Sequence, residues 1–210
     1  MAGMEIYNIV VGMVATNCYL IKNTETKEMI IVDPADQAAR IIQQVTELEG
    51  EPVAVLLTHG HFDHILAVDA IRRQYLIKAY AHEMEEDVLD NPMLNLSANW
   101  SHAYSTHADK LVKEGDVLNI AGFRIKVYHT PGHTHGSCCY YFENEKVLIS
   151  GDSIFHGSFG RSDFPTSSPR DMAASVRRML EILPDETVVY PGHDSITTIE
   201  REKMINPLAP

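Results

Sequence analysis

The sequence predicts an α/β protein folded as one domain, built as two strand-then-helix halves of about residues 1–112 and 113–210, with helices layered outside each sheet. Three observations carry this expectation. In both halves the apolar periodicity switches from that of a strand to that of a helix. At 210 residues, with 45% hydrophobic and 22% charged content, the chain can bury one sizeable core and is ordinary for a folded protein. No low-complexity segment or linker separates the halves.

Taken in order, residues 4–11 and 17–22 read as a strand pair broken at Gly12, and MIIVDP as a third strand ending at Asp33–Pro34. Over 36–49, Ile41, Ile42, Val45 and Leu48 share one helical face, with Asp36 as N-cap and Gly50 as the residue just past the end. PVAVLL at 52–57 is a short buried strand, 65–75 a helix, and IKAYAH at 77–82 another strand. EMEEDVL reads as a short helix. The stretch from 90 to 110 has the composition of a long loop, a feature often tied to function. Its Trp100 and Tyr104 are read as core packing, with a pocket wall or a dimer contact as the alternatives.

In the second half, FRIKVYHT at 123–130 alternates as a half-buried strand, and CCYYF and KVLIS flank Glu143–Asn144–Glu145 as a hairpin. Ser168 caps a helix with Pro169 in its first turn and an apolar face of Met172, Val176, Met179, Leu180 and Leu183. TVVYP is a final strand, and a short helix precedes the tail INPLAP.

The net charge of −12 argues against a broad electrostatic grip on nucleic acid or on an anionic membrane. No apolar run approaches a membrane span. The N-terminus lacks a basic leader and reads as a strand rather than a signal peptide. Three cysteines, Cys18, Cys138 and Cys139, make no disulfide framework, and the adjacent pair would face opposite sides of a strand. A reducing cytoplasm is expected, with a small-molecule substrate and a monomer or homodimer.

The chemistry concentrates after strand ends. AVLLTHGHFDHILAV places His59, His61, Asp63 and His64 within six positions, a density that packing does not explain. His133 follows FRIKVYH in HTPGHTHG, Asp152 follows KVLI in SGDS, and His193 follows TVVY in YPGHD. Strand ends can open on one edge of a sandwich, so these seven residues can converge as metal ligands. Imidazole and carboxylate donors suit zinc, iron or manganese. Seven candidates exceed what one ion needs, and a carboxylate such as Asp152 can bridge two. His82, His102, His107 and His129 are read as structural, as are His135 and His156, although the last two lie close enough in sequence to support the ligands from outside.

THGHFDH, TPGHTHGS, SGDSIF and PGHD, in this order across nearly the whole chain, resemble the metallo-β-lactamase superfamily. GDSIFHGSFGRSDFP and TNCYLI are similar to the glyoxalase II (hydroxyacylglutathione hydrolase) group and its short single-domain relatives. The resemblance implies the four-layer αββα sandwich. It also implies His59, His61 and His133 on one divalent metal, zinc foremost, with Asp63, His64 and His193 on a second and Asp152 between them. It further implies a thioester substrate and a basic residue, Arg161, near a substrate carboxylate, although pairing with nearby Asp163 explains that arginine equally well. In the mechanism expected from this, a metal-held hydroxide attacks the thioester carbonyl and Asp63 orients it. The chain stops at residue 210, short of the family's C-terminal helical substrate domain. Glutathione as the thiol therefore does not carry over. A persulfide dioxygenase with one iron at His59, His133 and Asp152 is the main alternative. A β-lactam hydrolase is disfavoured by aspartate at 152, a nuclease by the charge, and a non-enzymatic metal protein by the complete ligand set.

Overall fold

The computed structural model describes residues 3–100 and 102–209. Two six-stranded sheets face each other. The first draws on β1 (Met4–Val11), β2 (Thr16–Asn23), β3 (Glu28–Val32), β4 (Glu51–Leu56), β5 (Lys78–His82) and β6 (Lys110–Val112) in that spatial order. Its β1–β3 meander is antiparallel, while β3 to β6 run parallel. Parallel neighbours need crossovers, supplied here by α1 (Ala38–Glu47), the short α2 (Phe62–Ile65) with α3 (Val68–Tyr75), and then a 3-10 turn followed by α4 (Glu86–Asp90) and α5 (Ser97–Trp100).

The second sheet orders β12-β11-β10-β9-β8-β7, from β7 (Val117–Ile120), β8 (Phe123–His129), β9 (Cys138–Phe142), β10 (Val147–Gly151), β11 (Val188–Pro191) and β12 (Thr197–Thr198). Helix α6 (Pro169–Ile182) joins the parallel pair β10–β11, and α7 (Ile199–Ile205) follows β12.

Strand alternation sorts the core into three layers, which makes the architecture αββα. Between the sheets pack Tyr19, Ile21, Ile30, Val32 and Leu56 from the first sheet, with Phe123, Ile125, Tyr140 and Phe142 from the second. Their neighbours in sequence, Leu20, Ile31 and Val55, point outward against Ile41 and Val45 of α1 and Val68 and Ile71 of α3. On the far side Tyr141 and Leu148 meet Met172, Val176, Met179 and Leu180 of α6. Cys138 and Cys139 fall into different layers, as the alternation predicts, and both thiols are free. The Ser168 cap is also present: its side chain accepts the Asp171 amide at the start of α6.

Local details depart from the sequence reading. Helix α1 begins at Ala38, with Gln37 as its left-handed N-cap (φ 51°), while Asp36 accepts the Gln37 amide instead of capping. At its end Glu49, not Gly50, takes the left-handed turn (φ 50°), and the Gly50 amide reaches back to the Val45 carbonyl. Glycine is needed at 50 for room, since a Cβ there would sit 2.3 Å from Met29 Cε. The helix expected over 65–75 is two pieces, because the chain turns at Leu66–Ala67 after carrying Asp63 and His64 into place. Three strands went unread: β6, three residues at the end of the stretch read as a loop, β7 and β12. β7 is mostly half-buried and hides its alternation, and it turns into β8 over Ala121–Gly122, both at positive φ. β12 is two residues long.

Two buried hydroxyls tie the sheets together at one edge. Tyr19 of β2 donates to the Pro191 carbonyl at 2.7 Å, and Tyr140 of β9 donates to the Leu57 carbonyl at 2.9 Å. Each acceptor lies at the end of a strand on the opposite sheet, two residues before a predicted ligand. Removing one donor leaves a buried carbonyl short of a partner, which costs about 1–3 kcal/mol. We expect Tyr140→Phe to lower unfolding free energy by about 1–2 kcal/mol with an unchanged denaturant slope. Urea titration followed by circular dichroism measures both.

Candidate metal centre

The edge fastened by Tyr19 and Tyr140 is where the four sequence blocks meet. The β4 strand leads into the loop and short helix bearing His59, His61, Asp63 and His64. The β8–β9 turn carries His133, the end of β10 Asp152, and the end of β11 His193. All seven come together in three overlapping sets: His59, His61 and His133; His59, His64 and Asp152; and Asp63, His64 and His193. Ligand atoms within each set lie within 4.8 Å of one another.

The distances are those of donors aimed at shared points. His61 Nδ1 and His133 Nε2 are 2.8 Å apart. Asp152 Oδ2 faces His133 Nε2 at 3.3 Å and His193 Nε2 at 3.6 Å, while its Oδ1 faces His64 Nε2 at 3.4 Å. Asp63 Oδ2 lies 3.3 Å from His193 Nε2 and 3.7 Å from His64 Nε2. Two ligands bound tetrahedrally at about 2.0–2.1 Å stand about 3.3 Å apart, so the spacings around Asp63 and Asp152 suit coordination, while His61 and His133 stand at hydrogen-bond distance.

Burial and protonation agree at His59 and His61, while at His64 and His193 burial is outweighed by the facing carboxylates, which raise both. Burial drives His59 and His61 well below the ordinary imidazole range, reinforced by facing histidines, so both are neutral, the form that binds metal. Burial alone would raise the Asp152 carboxyl, but His64 and His133 pull it well below the usual range.

Three of the buried imidazoles are anchored on their far side, whereas His61 Nε2 has no partner among the described residues. His64 Nδ1 meets Asp33 Oδ2 at 2.9 Å, His133 Nδ1 donates to the Arg161 carbonyl at 2.7 Å, and His59 Nδ1 lies 3.2 Å from Thr58 Oγ1. These contacts turn the other ring nitrogen inward. Among the described residues, His59 Nε2, His64 Nε2 and Asp152 Oδ1 are buried without a hydrogen-bond partner. Buried polar atoms are nearly always paired, so orphans converging on one cluster fit a cation.

Two supporting carboxylates escaped the sequence reading. Asp33, at the end of β3, accepts both the amide and the hydroxyl of Thr58 while holding His64. Glu85 is fully buried and joins two ligand loops. Its Oε2 accepts the Gly60 amide at 2.6 Å, and its Oε1 accepts the Thr134 hydroxyl at 2.5 Å and the Gly136 amide at 2.9 Å. Burial pushes this carboxyl up to about 7, against the pull of those three donors. Gly192 also matters: a Cβ there would sit 2.3 Å from Asp152 Oδ1.

The histidines read as structural stay outside. His82 and His129 stack on each other at 4.1 Å, His135 pairs with Asp87 at 2.9 Å, and His156 is exposed. A cavity of about 480 Å³ opens over the cluster, and Trp100 lines it, so the core-packing reading fails for that residue. Tyr104 does pack against the outer core of the first sheet.

The chain belongs to the metallo-beta-lactamase superfamily, whose family model matches residues 11–193. It is 34% identical over 199 residues to the probable metallo-hydrolase YqgX of Bacillus subtilis, covering 94% of this chain and 93% of that protein. It is 32% identical over 207 residues to the hydroxyacylglutathione hydrolase GloC of Haemophilus influenzae, covering 97% of each. Among solved structures, the BLEG-1 B3 metallo-beta-lactamase superposes with a TM-score of 0.92 at 39% identity, over 97% of this chain and 98% of that one. The di-iron-bound form of TTHA1623 gives 0.85 at 30%, over 96% and 98%. ETHE1 from Myxococcus xanthus gives 0.81 at 30%, over 97% and 84%. Fold, cluster and relatives together define a metallo-hydrolase of this superfamily. No described helix is long and apolar enough to cross a membrane.

Glu85→Ala strands three buried donors at about 1–3 kcal/mol each, partly offset by removal of a buried charge. We expect a net loss of about 2–4 kcal/mol in stability and about 10–100-fold weaker metal binding. Chelator competition on the folded variant reads the second effect.

Proposed function

We propose that the chain hydrolyses a thioester of the hydroxyacyl-thiol type with two divalent cations, zinc, iron or manganese, held by seven side chains. His59, His61 and His133 would hold one, and Asp63, His64 and His193 the other. The observation that carries this reading is the position of Asp152, whose two oxygens face histidines of both sets. Such a pair of cations supplies Lewis acidity and a hydroxide at neutral pH.

The residues of the chain do the remaining work. Asp63, half-buried on the cavity floor, accepts a hydrogen bond from the attacking water and so orients it toward the carbonyl. Asp33, Thr58 and the Arg161 carbonyl keep the imidazoles from rotating, which keeps the site preorganised. Phe62, Phe155 and Phe164 shield the reacting carbonyl from bulk water. The water oxygen bonds to the acyl carbon, the C–S bond breaks, and the departing thiolate takes up a proton. Likeness to GloC over nearly the whole length of both chains supports the thioester.

Two other readings have support of their own. A β-lactam amide as substrate is favoured by the 39% identity to BLEG-1, against the disfavour that aspartate at 152 suggested. A one-iron persulfide dioxygenase is favoured by likeness to ETHE1, but with its iron at His59, His133 and Asp152 it leaves His61, Asp63, His64 and His193 without a role.

Elemental mass spectrometry of protein purified without a metal-affinity tag should find close to two ions per chain. Asp63→Ala and His61→Ala should each lose at least about a hundredfold in thioester turnover while keeping the wild-type circular dichroism spectrum. A single iron with oxygen uptake on a persulfide would replace this reading with the dioxygenase, and turnover of β-lactams alone would replace it with the lactamase.

A further inference from the structure

The cavity above the cluster restricts what it admits. Beyond the candidate ligands it is lined by Val14, Phe62, Leu96, Trp100, Phe155 and Phe164. Two of these remain open at the mouth, Trp100 at 60% exposure and Val14 at 44%. Large apolar side chains left in water at the rim of a cavity mark surface that a ligand covers.

Arg161, the one lysine or arginine among the described lining residues, forms an exposed ion pair with Asp163. Its Nε and Nη2 donate to the two carboxylate oxygens of Asp163 at 2.7 and 2.8 Å, and its guanidinium carbon lies 4.2 Å from the Phe164 ring centre. A fork–fork pair has no net charge and uses the donor geometry that a substrate carboxylate would need. A carboxylate arriving at the mouth therefore meets a neutral pair and aromatic faces, in a chain of net charge −12.

We propose that the part of the substrate remote from the reacting carbonyl is an uncharged hydrocarbon seated on Trp100 and Val14, with Arg161 serving as wall rather than as anchor for an anion. This deepens the thioesterase reading and rests on it where turnover is measured.

The test uses the metal-replete full chain and two thioesters of N-acetylcysteamine, hexanoyl and adipoyl, which share a six-carbon acyl chain ending in methyl or in carboxylate. The matching thioethers, which cannot be hydrolysed, measure binding. Trp100 is the only tryptophan, so its emission reports the cavity mouth whether or not turnover occurs. We expect the methyl-ended thioether to shift that emission to the blue at about tenfold lower concentration than the carboxylate-ended one. The hexanoyl-to-adipoyl ratio of kcat/KM should be at least about ten. Trp100→Ala should bring that ratio toward one, and Asp163→Asn, which releases Arg161, should move it toward adipoyl.

Equal or reversed preference in wild-type emission overturns the proposal, as does a turnover ratio that neither variant changes. A blue shift favouring the methyl-ended probe without turnover of any thioester keeps the apolar seat and removes the thioesterase reading instead.

Discussion

Inside the cluster, His61 Nδ1 and His133 Nε2 stand 2.8 Å apart while His59, His64 and Asp152 turn partnerless atoms toward the same space. Burying such atoms is expensive. Each unpaired polar atom costs about 1–3 kcal/mol and an uncompensated buried charge several more, against a total stability of only about 5–15 kcal/mol for a typical domain. A fold can hold this arrangement only if the surrounding backbone cannot relax away from it. Much of the architecture at this edge follows from that requirement.

Strand ends meet the requirement well, because a strand inside a sheet is fixed on both sides before its loop begins. β4, β10 and β11 each place their first ligand within three residues beyond the strand end. The loops are then fastened across the sandwich. Tyr19 and Asn17 hold the segment before His193, Tyr140 holds the carbonyl before Thr58, and the Cys138 amide donates to the Thr58 carbonyl. Glu85 performs the same task with one carboxylate, gripping the amide between His59 and His61 and the turn that follows His133. Surface ion pairs such as Lys27–Glu49 contribute little beside these buried bonds.

The legibility of these parts differed for physical reasons. Ligands that crowd into six positions announce themselves, because packing rarely needs four such side chains together. The layers were legible where alternation was strong, as in Tyr19–Leu20–Ile21 or Cys138–Cys139. Asp33 and Glu85 gave no local signal. Each acts from 25 residues or more away in sequence, and half of their contacts are to backbone amides, which carry no residue identity to read. Glu49 was missed because a glycine beside it matched the usual helix ending, yet that glycine was required by Met29 packing. Trp100 was misread because a loop aromatic is as often core as rim, and only the position of α5 over the cavity separates the two.

Charge links the supporting shell to the site. Asp33, Asp63, Glu85 and Asp152 surround imidazoles of which at least His59 and His61 are neutral. If ionised together, these carboxylates carry as much negative charge as two divalent cations carry positive. The mouth of the cavity is built the other way, with Arg161 cancelled by Asp163 and the remaining wall largely apolar. Strong charge gathers at the floor and near-neutrality at the rim, so on the proposed reading the floor would act on the reacting carbonyl and the rim would sort substrates by the hydrocarbon they carry.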